Sequence, residues 1–288
     1  MLSYDQQMNL VNRGLAVMKN DGKFTTFKYH RRAMYDYLWF IDTDLMECRG
    51  HVYDSATKEL VQAAPRKSFN YLENDYWWSA VELDTKVEVF KKINGFMACA
   101  TLHNGELVVS TTGSTTSEYA KWAKELILKD YALYDMVIDS DASTLFEVVV
   151  PQDPHIVNER MGLHLLGIRE KADGTFHPCN STGVMTLKEA IALAETDRGE
   201  GFMVYRQDEP SKLAPCKLKT PYYVGKKKLM RMSAKNVNAM YDNALAVSKV
   251  LPLMWKDVPF HIAGRFTKEQ WLSFDDQARR AILEDLKG

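Results

Sequence analysis

The pattern of apolar residues along this chain predicts an α+β fold: antiparallel sheets with helices interspersed, followed by a small helical unit. Three observations carry the expectation. Strand-like runs occur next to one another and are joined by turn residues, as hairpins are. Segments with helical spacing lie between these pairs instead of following every strand, which sets aside a βαβ alternation. Beyond about residue 230 only helical spacing remains.

Residues 3–20 read as a helix, with Leu10, Val11, Leu15 and Met18 as its apolar stripe. Residues 24–53 are rich in aromatics and read as extended, ending in Glu47-Cys48-Arg49-Gly50-His51-Val52-Tyr53. The clearest strands follow. Val87–Phe90 leads into Lys91-Lys92-Ile93-Asn94-Gly95, and Phe96–Leu102 comes next. His103-Asn104-Gly105-Glu106 reads as a hairpin turn, because Asn-Gly tolerates the positive φ angles of a tight connection, and Leu107–Ser110 returns. Residues 116–135 read as helical, and Leu145–Val150 as a β-rich run closed by Pro151. Thr186 is placed to cap a helix over Leu187–Glu195. Gly201–Tyr205 and Lys217–Val224 read as short strands, Val237–Leu251 and Lys268–Leu286 as helices. The division expected on this reading is 1–224 and 225–288.

Length and composition narrow the class. The 288 residues suit one large domain or two modest ones, and 46% hydrophobic with 26% charged residues is the balance of a soluble globular protein. No apolar run approaches the roughly 20 residues that span a bilayer. The start, MLSYDQQMNLVNRG, lacks an apolar core after a basic opening, so a secretory signal is not expected. Cys48, Cys99, Cys179 and Cys216 form no CxxC pair, which argues against a disulfide framework or a thiolate zinc site and suits a reducing cytoplasm. The histidines show no HxH or HExxH spacing. A net charge of −1 does not announce a nucleic-acid binder. The charge is uneven, however: Lys212, Lys217, Lys219, Lys226, Lys227, Lys228, Arg231 and Lys235 occur in a stretch without Asp or Glu. Such a run is ordinarily a solvated face, but this one adjoins a candidate catalytic segment.

That segment centres on Lys92-Ile93-Asn94-Gly95, a KxxG of the kind used by covalent nucleotidyltransferases. The motif alone is weak, since a KxxG occurs by chance about once in a chain of this length. Lys19-Asn20-Asp21-Gly22 and Lys171-Ala172-Asp173-Gly174 look closer to the common KxDG form. Chemistry chooses among the three. A lysine that attacks an α-phosphate must lose its proton, which nearby cations and partial desolvation favour. The departing pyrophosphate needs Lys or Arg and a divalent metal, and the metal needs a carboxylate. Rigid strands hold such a constellation better than a loop. Lys92 sits between apolar strands, with acidic and dibasic strand motifs further along; Lys19 and Lys171 open polar turns.

In order from about residue 45 to 224, the chain resembles the phage RNA ligase 1 type of ATP-dependent ligases. Glu47-Cys48-Arg49-Gly50 resembles the family's ECRG segment before the nucleophile, and Pro65-Arg66-Lys67-Ser68-Phe69-Asn70 its proline-to-KFFN stretch, also ahead of Lys92. Lys92-Ile93-Asn94-Gly95 takes the place of motif I, with Gly113-Ser114 following. Phe146–Pro151 with Ile156-Val157 resembles motif III, Glu200–Val204 motif IV, and Lys217-Leu218-Lys219 with Tyr222-Tyr223-Val224 motif V. The resemblance implies a nucleotidyltransferase fold with antiparallel sheets around an ATP cleft. It implies that Lys92 becomes AMP-lysine, that Lys217 and Lys219 contact the ATP phosphates, and that Glu200 helps place Mg2+ or Mn2+. Glu147 would hold the nucleoside, Arg49 would support the pocket, Lys67 would reach phosphate and Tyr223 would flank adenine. The implied activity is joining 5′-phosphate to 3′-hydroxyl ends of single-stranded RNA, by a cytoplasmic monomer.

The match has departures. Ser110-Thr111-Thr112 stands where the family has a lysine, and Asn94 replaces a common acidic residue. About 64 residues follow motif V, fewer than in the best-known members, so a preference for tRNA is not implied. Two rivals use other features. A DNA ligase or capping guanylyltransferase shares the lysine chemistry but usually appends a five-stranded OB barrel, against which the helical pattern after residue 230 speaks. A non-catalytic nucleic-acid-binding protein would use the basic stretch alone. On the ligase reading, that stretch guides RNA toward the cleft.

Overall fold

The computed structural model describes residues 1–73, 78–135, 137, 141–208 and 215–287. Three antiparallel-dominated sheets organise the chain, as the sequence predicts. The first is β1(Ala16–Asn20), β2(Phe24–Tyr29), β3(Arg49–Asp54) and β4(Leu60–Gln62), in that order. Helix α1(Tyr4–Asn12) and the short α2(Arg32–Tyr35) accompany it, and Leu10, Phe27, Trp39 and Tyr53 form its core. β5(Phe69–Asn70) belongs to the second sheet with β6(Lys86–Lys92), and β7(Phe96–His103) and β8(Glu106–Ser110) open the third.

Helices α3(Glu118–Lys129) and α4(Tyr131–Asp135) precede β9(Ala142–Val149), β10(Gly162–Glu170) and β11(Phe176–Pro178). The third sheet runs β11-β10-β9-β7-β8, and Ala123 and Ile127 of α3 pack with its Phe146 and Val148. β12(Ser181–Thr186), α5(Leu187–Thr196), β13(Gly201–Arg206) and β14(Cys216–Lys219) complete the second sheet, ordered β12-β6-β13-β14-β5. Leu187 and Ala190 of α5 cover Val87, Val89 and Val204. Thr186 and Glu189 form a capping box, satisfying orphan N–H groups at the start of that helix. The β7–β8 turn has positive φ at both Asn104 and Gly105, the pair that a two-residue hairpin requires.

After β14 every regular element among the described residues is helical: α6(Pro221–Met230), α7(Ala234–Asp242), α8(Ala244–Lys249), α9(Val258–Arg265), α10(Lys268–Ser273) and α11(Asp276–Asp285), with one 3-10 turn at Leu253–Trp255. Their core includes Tyr222, Leu229, Trp255, Ile262, Trp271 and Leu283, and also Ile156 and Val157 from the segment after β9. Buried Arg279 ties the ends together by donating to the carbonyls of Met230 and Trp271.

Several local expectations are corrected. The helix read over residues 3–20 stops at Asn12; Gly14 takes φ +70 and the chain turns into β1, so Leu15 and Met18 lie outside the helix. The extended reading of 24–53 is interrupted by α2 and two 3-10 turns. Tyr222-Tyr223-Val224 is not strand. Thr220 caps α6 by accepting from the Tyr223 N–H, and Pro221 occupies the first turn where its missing N–H costs nothing. The expected division at residue 224 therefore falls inside a helix. Within that helix, a Cβ added to Gly225 would lie 2.1 Å from Trp255 Cδ1. Overpacking of this kind costs about 1–3 kcal/mol. Gly225→Ala should cost stability by that amount, read as a lower urea midpoint with the slope of the transition unchanged; an unaltered midpoint would mean the Trp255 contact is slack.

Candidate active site

A cleft of about 850 Å3 separates the second and third sheets. Phe90 and Lys92 of β6, Met203 and Tyr205 of β13 and Lys217 of β14 line one side. Met97, Leu145, Glu147, Leu163 and Phe176, from β7, β9, β10 and β11, line the other. The chain crosses from one sheet to the other at Ile93-Asn94-Gly95, which fixes Lys92 at the junction. Gly95 is needed there, because an added Cβ would fall 2.4 Å from the Val148 carbonyl oxygen.

Strand register gathers the charges. Gly201 lies opposite Lys92 on one side and Lys219 on the other, so the preceding Glu200 sits between two lysines. Its Oε2 is 2.9 Å from Lys92 Nζ, and its Oε1 is 3.9 Å from Lys219 Nζ. Only glycine suits position 201: its φ is +136, and a Cβ would meet the Leu218 carbonyl at 2.0 Å. Asn94 completes the arrangement. Its Nδ2 donates to Glu200 Oε2 at 2.9 Å, while its Oδ1 accepts from the Val157 N–H at 3.1 Å. An aspartate here could accept from Val157 but would repel Glu200. The residue that sequence comparison counts as a departure is the one this carboxylate requires.

Glu147 Oε1 accepts from the Gly95 N–H at 3.1 Å, and Glu159 Oε1 from the Asn94 N–H at 3.3 Å. Burial pushes the Glu147 carboxyl pKa up, against the opposing charge of Lys92. Lys217 and Lys67 go the other way. Burial, then the charges of Lys67, Arg49, Lys92 and Lys219, lower Lys217 to about 7. Burial, with Arg49 and Lys219 adding to it against Glu73, lowers Lys67 to about 8. Lys67 donates to its neighbour's carbonyl, Ser68 O, and lies 4.1 Å from the Phe69 ring centroid. Lys219 is also lowered by burial, although Glu200 counteracts it.

Arg49 reaches the cleft because of an irregularity. Between Phe27↔His51 and Lys28↔Arg49 the β2–β3 register shifts at Gly50, whose φ is +107. A Cβ on Gly50 would come within 2.7 Å of Thr112 Cα, so glycine permits both the bulge and the close approach of that loop. The wall beside Arg49 is pinned by Glu47. Arg66 Nε approaches Glu47 Oε1 at 2.6 Å, and Arg169 Nη2 approaches Oε2 at 2.8 Å. Burial alone would raise this carboxyl, but His51, Arg169 and Arg66 together hold it down at about 2. Arg169 also donates to the Ala64 and Gly174 carbonyls, anchoring the strand-like segment that carries Arg66 and Lys67.

Of the eight residues singled out by sequence, Arg49, Lys92, Glu147 and Lys217 line the cleft. Glu200 and Lys219 adjoin Lys92 through the ion pairs that Glu200 makes with both lysines, and Lys67 is close enough to Lys217 for its charge to lower that lysine. Tyr223 is placed differently. It is buried in α6 among the C-terminal helices, with its ring 5.3 Å from Lys219 Nζ, and it does not line the cleft. The aromatic lining is instead Phe90, Tyr205 and Phe176, with Tyr205 centred 5.4 Å from Phe90 and 6.1 Å from Phe176. Sequence reasoning missed these three and Asn94, Glu47, Arg66 and Arg169. Phe90 and Tyr205 were findable as alternate residues on the strands flanking the motifs; Arg169 stands beside a discarded KxDG and gave no signal. Lys19 and Lys171 are both outside the cleft. Lys212 lies outside the described residues.

The fold is similar to that of solved ATP-dependent RNA and DNA ligases. Two structures of archaeal ATP-dependent RNA ligase, forms 1 and 2, superpose with TM-scores of 0.52 and 0.51 at 14% and 12% identity. They cover 98% and 96% of this chain and 78% and 75% of theirs. A protein from Aquifex aeolicus assigned as an ATP-dependent DNA ligase matches with a TM-score of 0.51 at 14% identity, over 99% of this chain and 78% of its own. No protein-family model and no curated protein matches the sequence. At these identities the likeness is one of fold.

The lowered lysines give a signed prediction. Their folded pKa values lie below the ordinary lysine value, so protonation opposes the folded, anion-free site; that penalty is full below about pH 7 and fades as pH rises toward the unfolded value. A bound polyanion reverses the effect and draws protons in. Pyrophosphate binding at pH 8 should take up about one proton, seen as a dependence of calorimetric enthalpy on the buffer's ionisation enthalpy. Binding with no proton uptake would place the anion away from Lys217 and Lys67.

Proposed function

We propose that this protein is an ATP-dependent RNA ligase that joins 5′-phosphate to 3′-hydroxyl ends through an AMP-lysine at Lys92. The observation that carries the reading is the concentration of Arg49, Lys67, Lys92, Lys217 and Lys219 about one end of a nucleotide-sized cleft. Mutual repulsion makes this cluster costly until an anion enters, and a triphosphate supplies the charge. The apolar and aromatic part of the cleft, with Phe90, Tyr205 and Phe176, suits a purine base. The order of the motifs along the chain, from Glu47 to Val224, supports ATP and RNA as the substrates.

In the first step Lys92 Nζ attacks the α-phosphorus. An N–P bond forms, the bond to the bridging oxygen breaks, and pyrophosphate leaves with the bonding electrons. Glu200 accepts from Lys92 in the nucleotide-free site and is placed to take its proton or to release it as the nucleotide arrives. Lys217 and Lys219 meet the charge on the leaving group. In the second step a 5′-phosphate oxygen attacks the same phosphorus and Lys92 departs. In the third a 3′-hydroxyl attacks the 5′-phosphate and AMP leaves. Positioning and electrostatics supply the catalysis.

A divalent ion, Mg2+ or Mn2+, fits Glu200. Such ions take one or two carboxylates and fill their remaining positions with water and substrate phosphate. Among the described residues no three metal-ligating side chains gather, so the nucleotide would complete the site. The ion would stabilise phosphoryl charge. We further infer a cytoplasmic monomer; Cys48, Cys99 and Cys216 are buried free thiols, and no helix among the described residues is long and apolar enough to cross a membrane.

With α-labelled ATP and magnesium the protein should form an acid-stable adduct that GTP does not give. Lys92→Ala should abolish it, and Lys217→Ala or Lys219→Ala should slow it by about 10²-fold, the usual loss on removing one preorganised donor. Glu200→Ala should shift the magnesium titration upward. The full chain should then seal 5′-phosphorylated RNA in preference to DNA of the same sequence. Sealing of DNA alone would overturn the RNA assignment, and adenylation of the Lys92 variant would overturn the mechanism.

A further inference from the structure

Part of the basic stretch between Lys217 and Lys235 is engaged in packing. Lys226 is 1% exposed and pairs with Glu284 at 2.6 Å. Arg231 pairs with Asp276 at 3.3 Å, and Lys228 donates to the Val250 carbonyl at 3.0 Å. These contacts tie the C-terminal helices together and take up part of the stretch expected to guide RNA, while Lys227 and Lys235 stay exposed.

A different set of cations is arranged for that task. In the first sheet Lys28 pairs with Val17 on β1 and with Arg49 on β3, and Lys19 pairs with Thr26. Paired residues share a face, as do residues two apart on a strand. Lys19, Lys28 and Arg49 therefore lie on one face, along a diagonal across three strands. Lys28 and Arg49 are directly opposite, an arrangement that is unfavourable for like charges. Among the described residues none of the three has an ion-pair partner. The bulge at Gly50 is what turns Arg49 onto this face.

A polar turn lies over the row. Lys19 Nζ donates to Ser114 Oγ at 2.8 Å, and a Cβ built on Gly113 would be 3.9 Å from Lys28 Cδ. Thr112 of the same loop lines the cleft beside Arg49. Asp21, at the adjoining turn, is engaged by the Thr115 hydroxyl and the N–H groups of Lys23 and Phe24. Arg49 joins two charge groups: burial chiefly lowers Lys28, Lys67 and Lys217, and the charge of Arg49 adds to it at all three. The inner group faces Lys92; the outer group, Lys28 and Lys19, leads away from it along the sheet.

We propose that Lys19, Lys28 and the Thr111–Ser114 turn form a binding track for backbone phosphates of a single-stranded polynucleotide, which enters the cleft past Arg49. The site deepens the ligase reading and rests on it for the choice of RNA. It gives the lysine of a discarded KxDG sequence a role outside nucleotide chemistry. The track handles the strand and leaves ATP to the inner cluster.

The test compares wild type with the full-length Lys19→Gln/Lys28→Gln double variant, since glutamine keeps much of each stem and removes the charge. Three readouts separate the steps: labelling by ATP without RNA, sealing of RNA already carrying a 5′-AMP, and anisotropy of a fluorescent 5′-phosphorylated RNA against salt. ATP labelling should stay within about twofold, whereas RNA affinity at low salt and sealing below saturation should fall about tenfold. The log–log salt slope should shrink by roughly one to one and a half, as expected for two lost contacts to a single strand. Unchanged affinity and slope would overturn the track. Loss of ATP labelling with normal RNA binding would overturn it too, by moving these lysines to the nucleotide. Absence of ATP labelling in the wild type would instead defeat the ligase reading, with the anisotropy still testing the track by itself.

Discussion

Five cationic side chains converge on one end of the cleft, and holding them there against their repulsion is the constraint on which the rest of the structure depends. Two unit charges about 4 Å apart repel by roughly 4 kcal/mol at an effective dielectric near 20. Flexible segments would let such groups swing apart. Here Lys92, Lys217 and Lys219 are carried by adjacent or nearby strands of one sheet, and their spacing follows from backbone hydrogen bonding. Glu200, held by Asn94 between Lys92 and Lys219, offsets part of the charge. Glycines at 50, 95 and 201 occur where a neighbouring backbone comes too close for a Cβ.

The same constraint explains the outer parts of the molecule. Glu47 gathers Arg66, Arg169 and His51, so that the wall next to Arg49 is bonded to two sheets at once. The Ile156-Val157 segment links the site to the C-terminal core: the Val157 N–H donates to Asn94, and its side chain packs with Tyr222 and Tyr223. The terminal helices thereby support the carboxylate beside Lys92 without lining the cleft. Of their lysines, Lys226 is taken up by packing and ion pairing.

Much of this was legible in the sequence where the signal was local. The Asn-Gly hairpin, the capped helix after Thr186, the Gly201 strand and the alternation of Lys217 and Lys219 depend on neighbouring residues, and each is found where expected. Two local signals were outweighed. Thr220-Pro221 announces a helix, but the aromatic run behind it reads as a strand; the apolar spacing through Met18 hid the turn at Gly14. Long-range partners had no sequence signature. Arg169 and Glu47 are 122 residues apart, and nothing in either segment points to the other. Asn94 illustrates a further difficulty, because its meaning depends on Glu200 lying beside it, a fact supplied by strand register.

The most direct measurement of the central claim is peptide mapping by mass spectrometry after incubation with ATP and magnesium. The mass of one adenylyl group should appear on the peptide containing Lys92, with fragmentation placing it on that side chain and on no other lysine. A modified Lys19, Lys171 or Lys217, or a folded protein that stays unmodified, would contradict the account.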